Sequence, residues 1–96
     1  MSRSVFTAAY ATVVAALVDA RRSAGVTQVE LAARLSKPQS FVSKIERGER
    51  RIDVLEFCAV ARAIGVQPAV LLAAIDTALP NTLTRPRPSL SHQAFG

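Results

Sequence analysis

Apolar residues recur along most of this chain at steps of three and four. Phe6, Tyr10, Val13, Leu17, Ala20 and Ala24 form the first such stripe, the spacing of one face of an α-helix. It predicts a long first helix over 4–24. Val14 and Val18 widen its apolar face. Either that face is broad, or its N-terminal part buries against something outside a minimal domain. Gly25 closes the helix, because glycine takes the left-handed conformation that follows a helix at least cost.

The next stretch carries its own start signal. Thr27-Gln28-Val29-Glu30 is a capping box, in which the Thr hydroxyl accepts the Glu30 amide and the Glu carboxylate reaches back. Val26 and Leu31 hold the staple positions that fix the entry angle. Leu31, Ala32 and Leu35 make the inner face of this second helix, and the small Ala32 lets the next helix come close. Ser36-Lys37 reads as a turn. Pro38 fits the first position of a third helix, where its missing amide costs nothing. Val42 and Ile45 point inward, Phe41 is partly exposed, and Gly48 ends the helix.

Asp53-Val54-Leu55-Glu56 is a second capping box, with Ile52 and Phe57 as its staple pair. Val54, Phe57, Val60, Ala61 and Ile64 form the core stripe of a fourth helix, which Gly65 terminates. Gln67-Pro68 opens a fifth, with Val70, Leu71, Leu72 and Ile75 available for burial. Start and stop signals agree throughout, which supports a five-helix, all-α domain over 4–79. From Pro80 the residues are rich in proline and polar types, so 80–96 reads as a mobile tail. The rival reading is that Leu83, Leu90 or Phe95 docks on a partner protomer.

Composition narrows the function classes. At 96 residues, one small domain is the default. A single cysteine, Cys58, excludes an internal disulfide framework, and its apolar helical setting suits a buried thiol. The apolar run Val5 to Val18 contains Thr7, Tyr10 and Thr12 and leads into Asp19-Ala20-Arg21-Arg22. It is shorter than the roughly 18–20 residues of a membrane span, and it continues into the domain as no signal peptide does. A cytoplasmic protein is the expectation. His92 is the lone histidine and no metal-ligand spacing or glycine-rich phosphate loop occurs, so no metal or cofactor is expected.

Charge is unevenly placed. Residues 20–52 carry eight Lys and Arg against three Glu, a net +5, whereas 53–79 carry Arg62 against Asp53, Glu56 and Asp76, a net −2. Arg85 and Arg87 follow in the tail. A basic concentration across 20–52, the stretch that holds the second and third helices, is the electrostatic footprint of a nucleic-acid binder. The outer face of the third helix shows Gln39, Ser40, Ser43, Lys44 and Arg47. A major groove admits an α-helix and displays a donor and acceptor pattern that such side chains can match. Gln39 stands in the first turn, and its amide offers a donor and an acceptor together, which suits adenine. Ser40 and Ser43 read less sharply, and Lys44 reaches a guanine edge or a phosphate. Gln28 lies at a helix N-terminus, where free amides and the dipole favour an anion. Arg47, Arg50 and Arg51 are placed to reach phosphates. Ser40 and Lys44 on an exposed face make no acyl or phosphoryl pocket, so catalysis is not expected.

Taken together, Thr27-Gln28-Val29-Glu30-Leu31-Ala32, Gln39 through Gly48, Arg50-Arg51-Ile52-Asp53 and Ala61-Arg62-Ala63-Ile64-Gly65-Val66 resemble the Cro/C1-type (Xre-like) helix-turn-helix family of phage repressors and bacterial regulators. The likeness covers about 13–75 and rests on joint order and spacing. It implies a lambda-repressor-like domain that docks its third helix, about 38–47, in the major groove. It places the base-reading positions on Gln39, Ser40, Ser43 and Lys44, and a backbone contact on Gln28. It also implies that Arg21 and Glu46 form a partly buried ion pair tying the first helix to the third.

The resulting expectation is a sequence-specific regulator of double-stranded DNA, a repressor acting as a homodimer on a short inverted repeat. Two alternatives stay open. One is an antitoxin-like DNA-binding protein with a protein partner. The other is a helix-turn-helix module used only for protein–protein contact.

Overall fold

In the computed structural model, which describes residues 7–79, the chain forms five helices. They are α1 (Ala8–Ser23), α2 (Gln28–Leu35), α3 (Gln39–Glu46), α4 (Val54–Ile64) and α5 (Pro68–Ala78). The expectations placed on Phe6, on the tail and on His92 lie outside the described residues. Among the described residues no single helix is long and apolar enough to cross a membrane.

Local chemistry sets most boundaries. Thr27 accepts the Glu30 amide at 3.0 Å while the Glu30 carboxylate accepts the Thr27 amide at 2.8 Å. Asp53 and Glu56 repeat the arrangement at 2.7 and 3.0 Å. Two starts depart from the sequence reading. Thr7 is extended and caps α1, its hydroxyl accepting the Tyr10 amide, so α1 begins at Ala8 rather than at residue 4. Pro38 is likewise extended and precedes α3 as its cap, which makes Gln39 the first helical residue. The α2 exit holds a further surprise. Ser36 takes the left-handed conformation at φ 57°, a position that costs an L-residue on the order of 1–2 kcal/mol. That conformation lets the Lys37 amide reach back to the Ala32 carbonyl at 2.9 Å and turns the chain sharply into α3.

All five helices contribute to one core: Leu17 from α1, Leu31 and Ala32 from α2, Val42 and Ile45 from α3, Val60, Ala61 and Ile64 from α4, and Leu71 and Ile75 from α5. Burying each large aliphatic side chain contributes roughly 1.5–3 kcal/mol. Ala32 and Ala61 are small and fully enclosed where α2 meets α4. The inward stripes of α4 and α5 are narrower than expected. Val54 is 77% exposed, Val70 60% and Leu72 54%. Val54 lies in the first turn of α4, beyond the helices that cover Val60 and Ile64. Val70 and Leu72 flank the inward-pointing Leu71 at about 100° to either side.

Candidate nucleic-acid interface

The second helix-turn-helix element, α3, buries Val42 and Ile45 against the core and leaves Gln39, Ser40 and Lys44 exposed. No side chain caps its N-terminus, and of its first amides that of Phe41 donates to the Pro38 carbonyl at 3.0 Å. The two glutamines are linked. Gln39 donates from Nε2 to Gln28 Oε1 at 3.3 Å, and Gln28 donates from Nε2 to Glu46 Oε1 at 2.9 Å.

Beneath them lies an ion pair. Arg21 donates from Nε and Nη2 to the two oxygens of Glu46 at 2.7 and 2.9 Å, and from Nη1 to the Val26 carbonyl at 2.9 Å. Both side chains are only 9% exposed. The bidentate geometry is the strongest form of such a pair. The Glu46 hydrogen bonds raise the Arg21 pKa, with burial opposing them. Four residues from α1, α2 and both ends of α3 thus form one connected network.

The remaining cations divide. Arg47 is exposed, donating to Ser43 Oγ at 2.6 Å and to both Glu49 oxygens at 2.9 and 3.1 Å. This pairing raises the Arg47 pKa and lowers that of Glu49. It uses one acceptor position of the Ser43 hydroxyl, expected to face bases, and leaves its proton to donate. Arg50, expected to face phosphates, keeps 40% of its side chain exposed. It grips Glu56 at 2.8 and 2.9 Å and stacks on the Phe41 ring at 4.7 Å. Arg50, followed by the Asp53 amide, holds the Glu56 carboxyl down to about 2. Arg51 is exposed over the Tyr10 ring at 4.7 Å. It lines a groove of about 500 Å³ with Tyr10, Val13, Asp53, Val54, Phe57 and Leu72, to which α3 contributes nothing.

Three contacts around the site have little or no local signature in the sequence. The Gln28–Glu46 bond joins residues 18 apart and has no local signature. The helical stripe marks Tyr10 only as a core position. Its hydroxyl donates to the Arg50 carbonyl at 3.2 Å and accepts the Ile52 amide at 3.1 Å, fixing the loop after α3 to α1. The Arg47–Glu49 pair did have a signal, since opposite charges two residues apart share one turn.

Comparison with known proteins agrees with this architecture. A family model described as helix-turn-helix matches residues 17–71, more than half of the chain. An XRE-family like protein from Pseudomonas syringae pv. tomato str. DC3000 is 51% identical, with a TM-score of 0.71, over 76% of this chain and 89% of that one. A protein of Sinorhizobium fredii (strain NBRC 101917 / NGR234) named as the uncharacterized HTH-type transcriptional regulator y4dJ is 38% identical over 58% of this chain and 73% of its own length. The restriction-modification controller protein C.Esp1396I, solved as a tetramer in complex with its natural 35 base-pair operator, shares the fold at a TM-score of 0.69 and 19% identity, over 75% of this chain and 95% of that one. By sequence and by structure, the chain belongs to the Cro/C1-type (Xre-like) helix-turn-helix family of DNA-binding proteins.

Proposed function

We propose that this protein is a sequence-specific, double-stranded DNA-binding transcriptional regulator, a repressor that inserts α3 into the major groove. The observation that carries this reading is the α3 face itself. Gln39, Ser40 and Lys44 stand exposed on a helix whose opposite side is locked into the core, as a reading helix requires. Gln39 reads a base edge, assisted by Ser40 and Lys44. Gln28 and the N-terminal amides of α2 meet a phosphate, and so does Arg47, whose exposed partner Glu49 yields to a stronger anion. Arg50 serves the fold, and Arg51 approaches the DNA backbone only beside the groove it lines.

A homodimer doubles the length of DNA read and matches a short inverted repeat. We assign the pairing surface to the groove between α1, α4 and α5. Val54 and Leu72 leave apolar surface there, and Leu55 beside them is 82% exposed. Arg51 and Asp53 both line it. A surface carrying both charges is complementary to its own two-fold copy, the condition for a closed dimer. The same groove favours the antitoxin-like alternative, because a heteromeric protein partner finds apolar area there.

The test is selection of bound sequences from random duplexes, with a mass measurement of the complex. A recovered inverted repeat bound by two copies is the expected result. Failure to enrich any motif would remove the sequence-reading claim. A stable heteromer would favour the protein-partner reading, and absence of DNA binding at low salt by the folded protein would favour a module used only for protein contact.

A further inference from the structure

We propose that Glu46 is a positioning residue for base recognition, acting through Gln28 to fix the polarity of the Gln39 amide. The inference rests on the assignment of Gln39 to base reading made above. Its starting point is an asymmetry of hydrogen-bonding chemistry. A side-chain amide has a nitrogen end that only donates and an oxygen end that only accepts, with nearly the same shape. An ionised carboxylate only accepts. Glu46 Oε1 therefore takes the Nε2 end of Gln28, at 2.9 Å, and directs Gln28 Oε1 away from itself. That oxygen accepts Gln39 Nε2 at 3.3 Å. Polarity set at Glu46 thus passes along two amides to the DNA-facing surface.

The outcome at Gln39 is specific. One Nε2 proton is engaged by Gln28, so the second proton and Oε1 remain as a donor and an acceptor of fixed placement. Adenine presents the complementary acceptor and donor, N7 and N6, in the major groove. An unlinked glutamine at an exposed helix start would have to order several rotatable bonds on docking. Holding the amide in advance reduces that cost.

Glu46 is suited to the task because it cannot itself turn. Arg21 occupies both of its oxygens from the core side. Its stem lines the interior beside Leu17, Leu31 and Val60. Arg21 is in turn held by the Val26 carbonyl. The ion pair consequently does more than tie α1 to α3, since its acceptor geometry reaches the base-reading side chain.

The experiment compares binding of the selected duplex and its single-base variants at fixed salt. It uses wild type, Gln39→Ala and the double variant Arg21→Met with Glu46→Met. Replacing both members leaves no stranded charge, and exchange of a buried pair for apolar residues of similar volume is often neutral for stability. Folding is verified by thermal unfolding. Gln39→Ala is expected to erase preference at one base pair. The double variant is expected to lower preference at that same pair by on the order of tenfold, the value of one well-made base contact, with other pairs unaffected. If Gln39→Ala relaxes that pair while the folded double variant keeps wild-type preference, the relay is overturned and the reading role of α3 stands. If Gln39→Ala changes nothing, the base-reading assignment falls and the relay with it. Should the double variant fail to fold, Glu46→Gln decides. Its single oxygen is claimed by Arg21, leaving a nitrogen toward Gln28, so unchanged base preference would overturn the proposal there too.

Discussion

The surface built on α2 and α3 and the surface built on α4 and α5 rest on the same core, yet they present opposite chemistry. The first is polar and carries the exposed cations Arg34, Lys37, Lys44 and Arg47, and its side chains are tied to one another: Gln39 to Gln28, Gln28 to Glu46, Arg47 to Ser43 and Glu49. The second belongs to the acidic stretch 53–79, and it leaves Val54, Leu55 and Leu72 in solvent beside an apolar groove. A solvated surface needs no such apolar area, and a protein-binding one needs no such concentration of cations. On the function proposed above, their difference lets one core serve two kinds of partner, a polyanion on one side and a protein on the other.

The comparison breaks most visibly beneath the polar surface. Arg21→Ala should cost about 3–5 kcal/mol of unfolding free energy, because it strands Glu46 among apolar side chains. Denaturant unfolding measures this directly, and a loss too small to detect would show that the polar surface has no buried foundation. On the apolar side, Leu72→Glu should leave the fold intact and weaken self-association by on the order of 2 kcal/mol or more, as a charge placed in an interface centre does. Sedimentation or light scattering reads the dimer–monomer balance. A dimer as tight as wild type would move the pairing surface elsewhere. Back on α3, Gln39→Ala should cost about 1–3 kcal/mol at one base pair and little at others. Arg51→Ala should weaken all duplexes alike.

Smaller effects sharpen the boundary between the two surfaces. Tyr10→Phe removes the hydroxyl that accepts Ile52 and donates to Arg50, so it should cost about 1–2 kcal/mol, seen as a lower midpoint in urea. The smallest effect is a pH dependence. Glu56 is lowered from 4.5 to about 2 by Arg50 and by the Asp53 amide. A carboxyl lowered on folding binds its proton more tightly in the unfolded chain. Its stabilisation is therefore complete above about 4.5 and is lost as pH falls toward 2. The gap in Tm between wild type and Glu56→Gln should be full near pH 6 and close between pH 4.5 and 2. A gap constant across that window would mean that Arg50 does not hold Glu56 in solution.

Much of the fold was legible because its signals are local. Both capping boxes, the staple residues Val26 and Leu31, and the glycines at 25, 48 and 65 act within a few residues of themselves. The candidate site was legible only in part. Exposure of Gln39, Ser40 and Lys44 follows from helical periodicity once Val42 and Ile45 are known to face inward. The fate of Arg50 does not follow. Its partner Glu56 was already engaged as a capping-box residue, and nothing in the spacing shows that a loop brings the two together. Val54 and Leu72 failed for the complementary reason. Periodicity identifies a helical face, but it cannot show whether another helix covers it.

By itself the sequence determined five helices, their order, most of their caps and a third helix with a polar outer face inside a basic stretch. These depend on interactions within about one helical turn, which a linear pattern records. Tertiary structure alone decided that Gln39 is held by Gln28 and Gln28 by Glu46, that Arg50 pairs with Glu56 over the Phe41 ring, and that α4 and α5 leave a groove open. Each of those outcomes depends on the distance and direction between side chains from separate elements. Such vectors exist only once the helices have packed.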